Sequence, residues 1–177
     1  MTAPAWGTLP PPQPSLPGVE IRRLAAIAVG EYRRLYRAVG APWLWWERLV
    51  LSDAELAAVL AGPGIEIRVV ERQGGFGGYS ELDCRADEVE IAYFGLVPDA
   101  IGCGLGRLLL TATLVAAWRR QPRRVWLHTC TEDHPGALAF YRRAGFRLCR
   151  RQAVVIDDPR VLGLLPADCA PHVPFAG

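Results

Sequence analysis

Three glycines at alternate positions, Gly102, Gly104 and Gly106, stand between a run that suits a strand and a run that suits a helix. Val89 to Val97 is rich in aromatic and branched side chains, as a buried strand is, and Pro98-Asp99-Ala100 stops it. From Leu105 onward the apolar residues recur at helical spacing. Glycine lets a backbone approach a ligand closely or take positive φ without steric cost. Here it would do so at a helix N-terminus, where unpaired N–H groups and the positive end of the helix dipole converge. The chemistry on offer is the binding of a phosphate or pyrophosphate. The segment is not a P-loop, because no Lys-Ser or Lys-Thr follows and the chain contains no Lys. Nor does Gly102-Cys103-Gly104-Leu105-Gly106-Arg107 have the G-x-G-x-x-G spacing of a dinucleotide fold.

The turn resembles the signature of the GNAT superfamily, the acyl-CoA-dependent N-acetyltransferases, in which Gln/Arg-x-x-Gly-x-Gly/Ala follows a strand. Ile101-Gly102-Cys103-Gly104-Leu105-Gly106 matches at both glycines and departs at the first position. A second segment, His134-Pro135-Gly136-Ala137 through Tyr141 to Gly145-Phe146, is similar to the family's Asn-x-x-Ala-x-x-x-Tyr-x-x-x-Gly-Phe. Ala137, Tyr141, Gly145 and Phe146 match in register, and His134 stands where Asn is usual. The resemblance covers roughly Val19 to Val155.

The resemblance implies acetyl transfer from acetyl-CoA to a primary amine by direct attack, with no metal. It implies that the amides of Gly102, Cys103, Gly104, Leu105, Gly106 and Arg107 cradle the pyrophosphate. The backbone at Phe94, Gly95 and Leu96 would pair with the pantetheine arm, with a splay or bulge near Gly95 and an oxyanion donor near Leu96. Tyr141 would be the general acid toward the departing thiolate, and His134 would contact the cofactor or cap its helix. Glu90 is the candidate general base. Glu81, on the preceding strand, is a candidate to lie beside it, where two carboxylates would raise one pKa. Trp43, Trp45 and Trp46 fall in the region that shapes an acceptor pocket, and their indole faces suit a cationic amine. Core packing of these Trp residues remains an open alternative, as does an ordinary satisfied role for His128. A non-catalytic CoA-binding module, or an interaction protein using the Trp cluster, is the alternative function.

The elements that must position these residues can be read in order. Val19 to Arg22 begins the fold as a strand, and Ala25 to Arg37 is expected as a helix ended by Gly40. Ser52-Asp53-Ala54-Glu55 has the form of a capping box opening a second helix. Ile65–Arg72, Phe76–Cys84 and the run from Val89 are three neighbouring antiparallel strands. From Leu105 onward runs a helix apolar on more than one side, with Pro122 following its end. Val125–Thr129 is a short strand, and Phe146 to Ile156 is expected as a hairpin-like pair. The fold class is α/β (α+β), a mixed, mostly antiparallel sheet of about six to seven strands flanked by helices.

Residues 1–17 contain six prolines and are expected as a flexible tail, residues 18–157 as the single domain and 158–177 as a C-terminal extension. A chain of 177 residues with 51% hydrophobic composition can bury a proper core. Its formal charge of +2 demands neither a nucleic acid nor a membrane as partner. All 20 basic residues are Arg, which excludes self-acetylation on Lys. Five cysteines without a C-x-x-C imply neither a zinc site nor a disulfide framework, and reduced thiols in the cytoplasm are the expectation. The acceptor is a small-molecule or peptide amine, and a homodimer is compatible with the family.

Overall fold

The computed structural model describes residues 1–2, 15–85 and 87–175. Its middle layer is a five-stranded sheet in the order β1-β2-β3-β4-β5. β1 (Val19–Arg23), β2 (Ile65–Arg72), β3 (Gly75–Asp83) and β4 (Val89–Leu96) run antiparallel to one another, and β5 (Val125–Trp126) is parallel to β4. Helices α1 (Val29–Gly40) and α2 (Asp53–Leu60) pack on one face around Tyr32, Tyr36, Leu56, Ile67 and Tyr79. Helices α3 (Leu105–Trp118) and α4 (Ala137–Arg143) pack on the other, around Leu82, Ile91, Leu110, Tyr141 and Phe146. No helix of the described residues is long and apolar enough to cross a membrane.

Local chemistry accounts for most of the boundaries. The capping box opens α2 as expected: Glu55 N donates to Ser52 Oγ at 3.3 Å, and Ser52 N donates to Glu55 Oε2 at 2.8 Å. Helix α1 starts four residues later than Ala25. The Leu24 N–H donates to the Ile67 carbonyl at 2.9 Å, which holds the chain extended past β1. Gly40 is the last helical residue rather than a left-handed cap. A Cβ there would overlap the Trp45 ring, so this glycine makes room for an indole.

Helix α3 is pinned to the sheet by polar as well as apolar contacts. Thr113 Oγ1 donates to the Leu109 carbonyl at 2.7 Å and lies 2.7 Å from Ser80 Oγ, both residues being fully buried. The single Thr113 hydroxyl proton is committed to Leu109, so Ser80 is the donor between the two hydroxyls.

Two expectations for the sheet are corrected. Phe146–Ile156 is not a strand pair. Phe146 is buried and Arg147 bridges to Thr2, while residues 148–157 enter no backbone hydrogen bond among those of the described residues. Thr2 and Arg147 exchange N–H···O bonds of 2.9 and 2.8 Å, and Met1 and Leu127 do the same at 2.5 and 2.9 Å. The start of the chain thus lies between β5 and Arg147, in the place a returning strand would take, and the sheet has five strands rather than six to seven. Of the expected tail, residues 3–14 lie outside the described residues, whereas Met1 is buried in the core. The bulge in β4 also falls earlier than expected. Glu81 pairs with Tyr93 and Leu82 with Ile91, which leaves Ala92, not Gly95, as the extra residue. Gly95 has a different duty, since a Cβ there would overlap Val39.

Candidate active site

The β4–β5 ladder has only two rungs, Val89↔Val125 and Glu90↔Trp126. Beyond them the strands part, and a cleft of about 820 Å³ opens between residues 91–96 of β4 and the segment from Leu127 to Tyr141. Its size is typical of a ligand site. The edge that β4 presents to it follows from strand geometry. Val97 N donates to the Gly77 carbonyl, so by alternation Tyr93 and Gly95 also turn their amides toward β3. Phe94 and Leu96 then turn theirs into the cleft, where no strand of the described residues meets them. Gly95 lines the cleft without aiming a donor at it.

The glycine turn closes one side. Gly102 and Gly104 have φ of +85° and +81°, conformations that a side chain would strain, and Gly104 is the N-cap of α3. The first-turn amides of Leu105, Gly106 and Arg107 have no carbonyl a turn earlier to bond. Gly102, Gly104, Gly106 and Arg107 line the cleft, as does Ile101. Cys103 is exposed, with its sulfur turned back on the Ile101 carbonyl. Leu105 is fully buried between α3 and the sheet and so offers only its amide. The fit to a phosphate-bearing ligand therefore rests on backbone donors, bare glycine surface and the guanidinium of Arg107.

Tyr141 reaches the cleft from α4, its ring packed edge-on against Phe94, Phe140 and Phe146. Burial, then the charge of Asp133, pushes the phenol well above its ordinary pKa, so it stays protonated. Asp133 is fixed in turn by Thr129 Oγ1 at 2.6 Å and Cys130 N at 3.1 Å.

The two carboxylates expected as a pair are kept apart. Glu81 is fully buried beneath α1, where it accepts from Tyr32 at 2.5 Å and from Arg48 at 2.6 Å. It does not line the cleft, and the residue opposite Glu90 on β3 is Asp83. Glu90 meets His128 instead, with Oε1 3.3 Å from Nδ1. That hydrogen bond, against an opposing effect of burial, raises the imidazole pKa above the usual histidine value. His128 lines the cleft and Glu90 stands behind it. Sequence reasoning passed over His128 as an acid–base group. No local signal marks it: His128 follows two residues after Trp126, whose pairing with Glu90 is set by the β4–β5 register.

The three Trp residues divide. Trp45 is held among Tyr36, Tyr79 and Tyr93 at ring distances of 5.2 to 6.3 Å. Trp43 is flanked by His134 at 5.2 Å and His172 at 5.1 Å. Trp46 also lines the cleft and has no aromatic ring partner among the described residues. His134 turns Nδ1 to accept from Gly136 N at 2.9 Å, so it does not cap α4, whose N-cap is Gly136. Glu47, Glu132 and Asp133 make this part of the wall acidic, opposite in sign to Arg107 and Arg143.

Residues 31–146 match the family described as Acetyltransferase (GNAT) family, and the chain belongs to that family of acyltransferases. A comparison with curated proteins finds no match. Several solved structures share the fold. An aminoglycoside acetyltransferase from an uncultured soil metagenomic sample, solved with sisomicin, is similar with a TM-score of 0.62 at 18% identity, over 79% of this chain and 95% of that one. The ribosomal-protein-S18-alanine N-acetyltransferase from Escherichia coli gives 0.59 at 18% identity, over 75% and 79%. PaiA N-acetyltransferase from Thermoplasma acidophilum, solved with coenzyme A, gives 0.59 at 16%, over 76% and 92%.

Proposed function

We propose that the protein transfers the acetyl group of acetyl-CoA to a primary amine. The observation that carries the reading is the union in one cleft of an open strand edge and a glycine-lined helix N-terminus. An extended ligand arm can lie along such an edge as an added strand does, with its phosphates at the helix end. Family membership and the coenzyme A bound in the PaiA relative support the same ligand.

Acetyl-CoA, when bound, supplies a thioester with a transferable acyl group. The Leu96 or Phe94 amide, turned into the cleft, stabilises developing negative charge on the acyl oxygen, for about 3 kcal/mol per donor. His128, oriented by Glu90, takes the proton that the attacking amine gives up. Tyr141, kept protonated by its burial, returns a proton to the leaving sulfur. Glu90 is thus the positioning partner of the base rather than the base itself.

The test is calorimetric titration of the protein with acetyl-CoA, beside Gly106→Glu. Gly106 is helical and has ordinary room for a Cβ, so the variant places a carboxylate at the helix N-terminus without backbone strain. Micromolar or tighter binding to the wild type, lost in the variant, is expected, followed by CoA release with an amine panel. The relatives put an aminoglycoside and a peptide with N-terminal alanine on that panel. A folded protein that binds no acetyl-CoA overturns the proposal.

A further inference from the structure

One wall of the cleft is built by a part of the chain that neither glycine turn nor helix explains. Residues 158–175 fold back on one side chain. Arg160 is 5% exposed and gathers the segment around its guanidinium. Its Nε and Nη2 donate to both oxygens of Asp158 at 2.7 to 3.2 Å. Nη1 donates to the carbonyls of Cys169, Ala170 and Val173 at 3.1 to 3.4 Å, and Nη2 reaches the Pro174 carbonyl at 3.0 Å. The Phe175 ring covers the guanidinium carbon at 4.8 Å. One planar fork thus closes a ring of chain with scarcely any regular structure, a task its fixed donor geometry suits.

This ring is docked at the cleft. Leu165 and Ala170 are buried against Leu44, in the connection between α1 and α2. His172 lies against Trp43, whose other neighbour is His134. Pro159 and Val173 line the cleft, with Val154 and Ile156 from the approach to the ring. That approach, residues 148–157, has no backbone hydrogen bond among the described residues, whereas the ring carries short turns of its own, with Leu164 N donating to the Pro159 carbonyl and Val173 N to the Ala170 carbonyl, each at 2.9 Å; these turns shape the ring but do not tie it to the sheet. The ring's position depends on the Leu44 contact and on Arg160.

We infer that the Arg160-closed ring sets the size of the acceptor: beside Trp43 it bounds the cleft and favours small primary amines over peptide amines. The inference rests on the acetyl-transfer reading. Arg160 is a positioning residue, touching neither acceptor nor cofactor. Its substitution acts through the wall formed by Val173, Pro159 and the His172–Trp43 contact.

The experiment measures kcat/KM for n-butylamine, spermidine and a hexapeptide with a free N-terminal amine, together with the KM for acetyl-CoA. Arg160→Ala frees the ring, and Val173→Trp thickens the wall while leaving the fork its Val173 carbonyl, the side chain lying at the edge of the Leu44, Leu165 and Ala170 cluster. The ratio of kcat/KM for hexapeptide over butylamine is expected to rise about tenfold in Arg160→Ala and to fall about tenfold in Val173→Trp. The KM for acetyl-CoA should stay within about twofold in both, because the ring supplies none of the glycine-turn or β4 amides assigned to the cofactor. Arg160→Lys keeps the charge but not the fork and should behave as Arg160→Ala. Should Arg160→Ala fail to fold, Val173→Trp alone decides the matter. Equal ratios in Val173→Trp and wild type overturn the inference while leaving acetyl transfer standing. Absence of acetyl-CoA binding by the wild type overturns the underlying reading instead.

Discussion

His128 and Glu90 meet where β4 and β5 part, Nδ1 to Oε1 at 3.3 Å. The carboxylate fixes the ring by its Nδ1 side, which leaves Nε2 as the nitrogen free to exchange a proton in the cleft. Activity should therefore rise with pH through the raised pKa of His128. Glu90→Gln removes the cause of that elevation and moves the acid limb of the kcat/KM profile to lower pH. His128→Gln should cost about 10²-fold or more in kcat. The same pair carries a stability signature of opposite sense. A histidine whose folded pKa is raised stabilises the fold below its unfolded pKa, and this contribution is lost as pH rises through the folded value. Thermal melts from pH 5 to 9 on wild type and Glu90→Gln check both statements.

Tyr141→Phe separates the proposed acid from the packing. The hydroxyl enters no hydrogen bond among those of the described residues, and the ring contacts with Phe94, Phe140 and Phe146 survive the change. Melting temperature and the KM for acetyl-CoA should be nearly unchanged. kcat should fall about 10²-fold or more, read as CoA release under saturating acetyl-CoA.

Ser80 and Thr113 join sheet to helix in a buried layer. Thr113→Val leaves the Ser80 hydroxyl without its acceptor and should cost about 1–3 kcal/mol in urea unfolding. Ser80→Ala added to it should recover part of that loss, since the two positions act as one unit. Additive losses would contradict the hydrogen bond between the two hydroxyls.

Glu66, 6% exposed on β2, is ringed by Arg68, Arg120 and Arg23. Burial draws its pKa upward, but the hydrogen bonds from Arg120 and Arg68 outweigh it and hold the carboxyl below the usual range. A depressed carboxylate stabilises the fold above its unfolded pKa, and that contribution is lost as pH falls through the folded value. Glu66→Gln should lower stability at pH 7 by about 3 kcal/mol. It should also flatten the acid side of the stability profile below about pH 4.3. A parallel downward shift at every pH would speak against the ion cluster.

What could be read in the sequence was what is local. Gly102 and Gly104 announced a left-handed turn before a helix, and Ser52 with Glu55 announced a cap, because each acts within a few residues of chain. What could not be read depends on register between distant strands. The bulge at Ala92, the barrier that Tyr32 and Arg48 place around Glu81, and the meeting of Glu90 with His128 all follow from pairings that composition does not encode. The start of α1 was misplaced for the same reason, since a carbonyl on β2 holds Leu24 extended. The Phe146–Ile156 run has the composition of strands, yet Thr2 already occupies the partner groups of Arg147.

The open edge of β4 has a cost in the free enzyme. Unpaired amides and carbonyls beside apolar Phe94 and Leu96 are a template on which another chain can pair. A ligand that satisfies them should therefore act as a guard against self-association, slowing aggregation on heating beyond what its mass-action effect on unfolding alone would give. Turbidity on heating at equal distance below the melting point, with and without acetyl-CoA, distinguishes the two contributions.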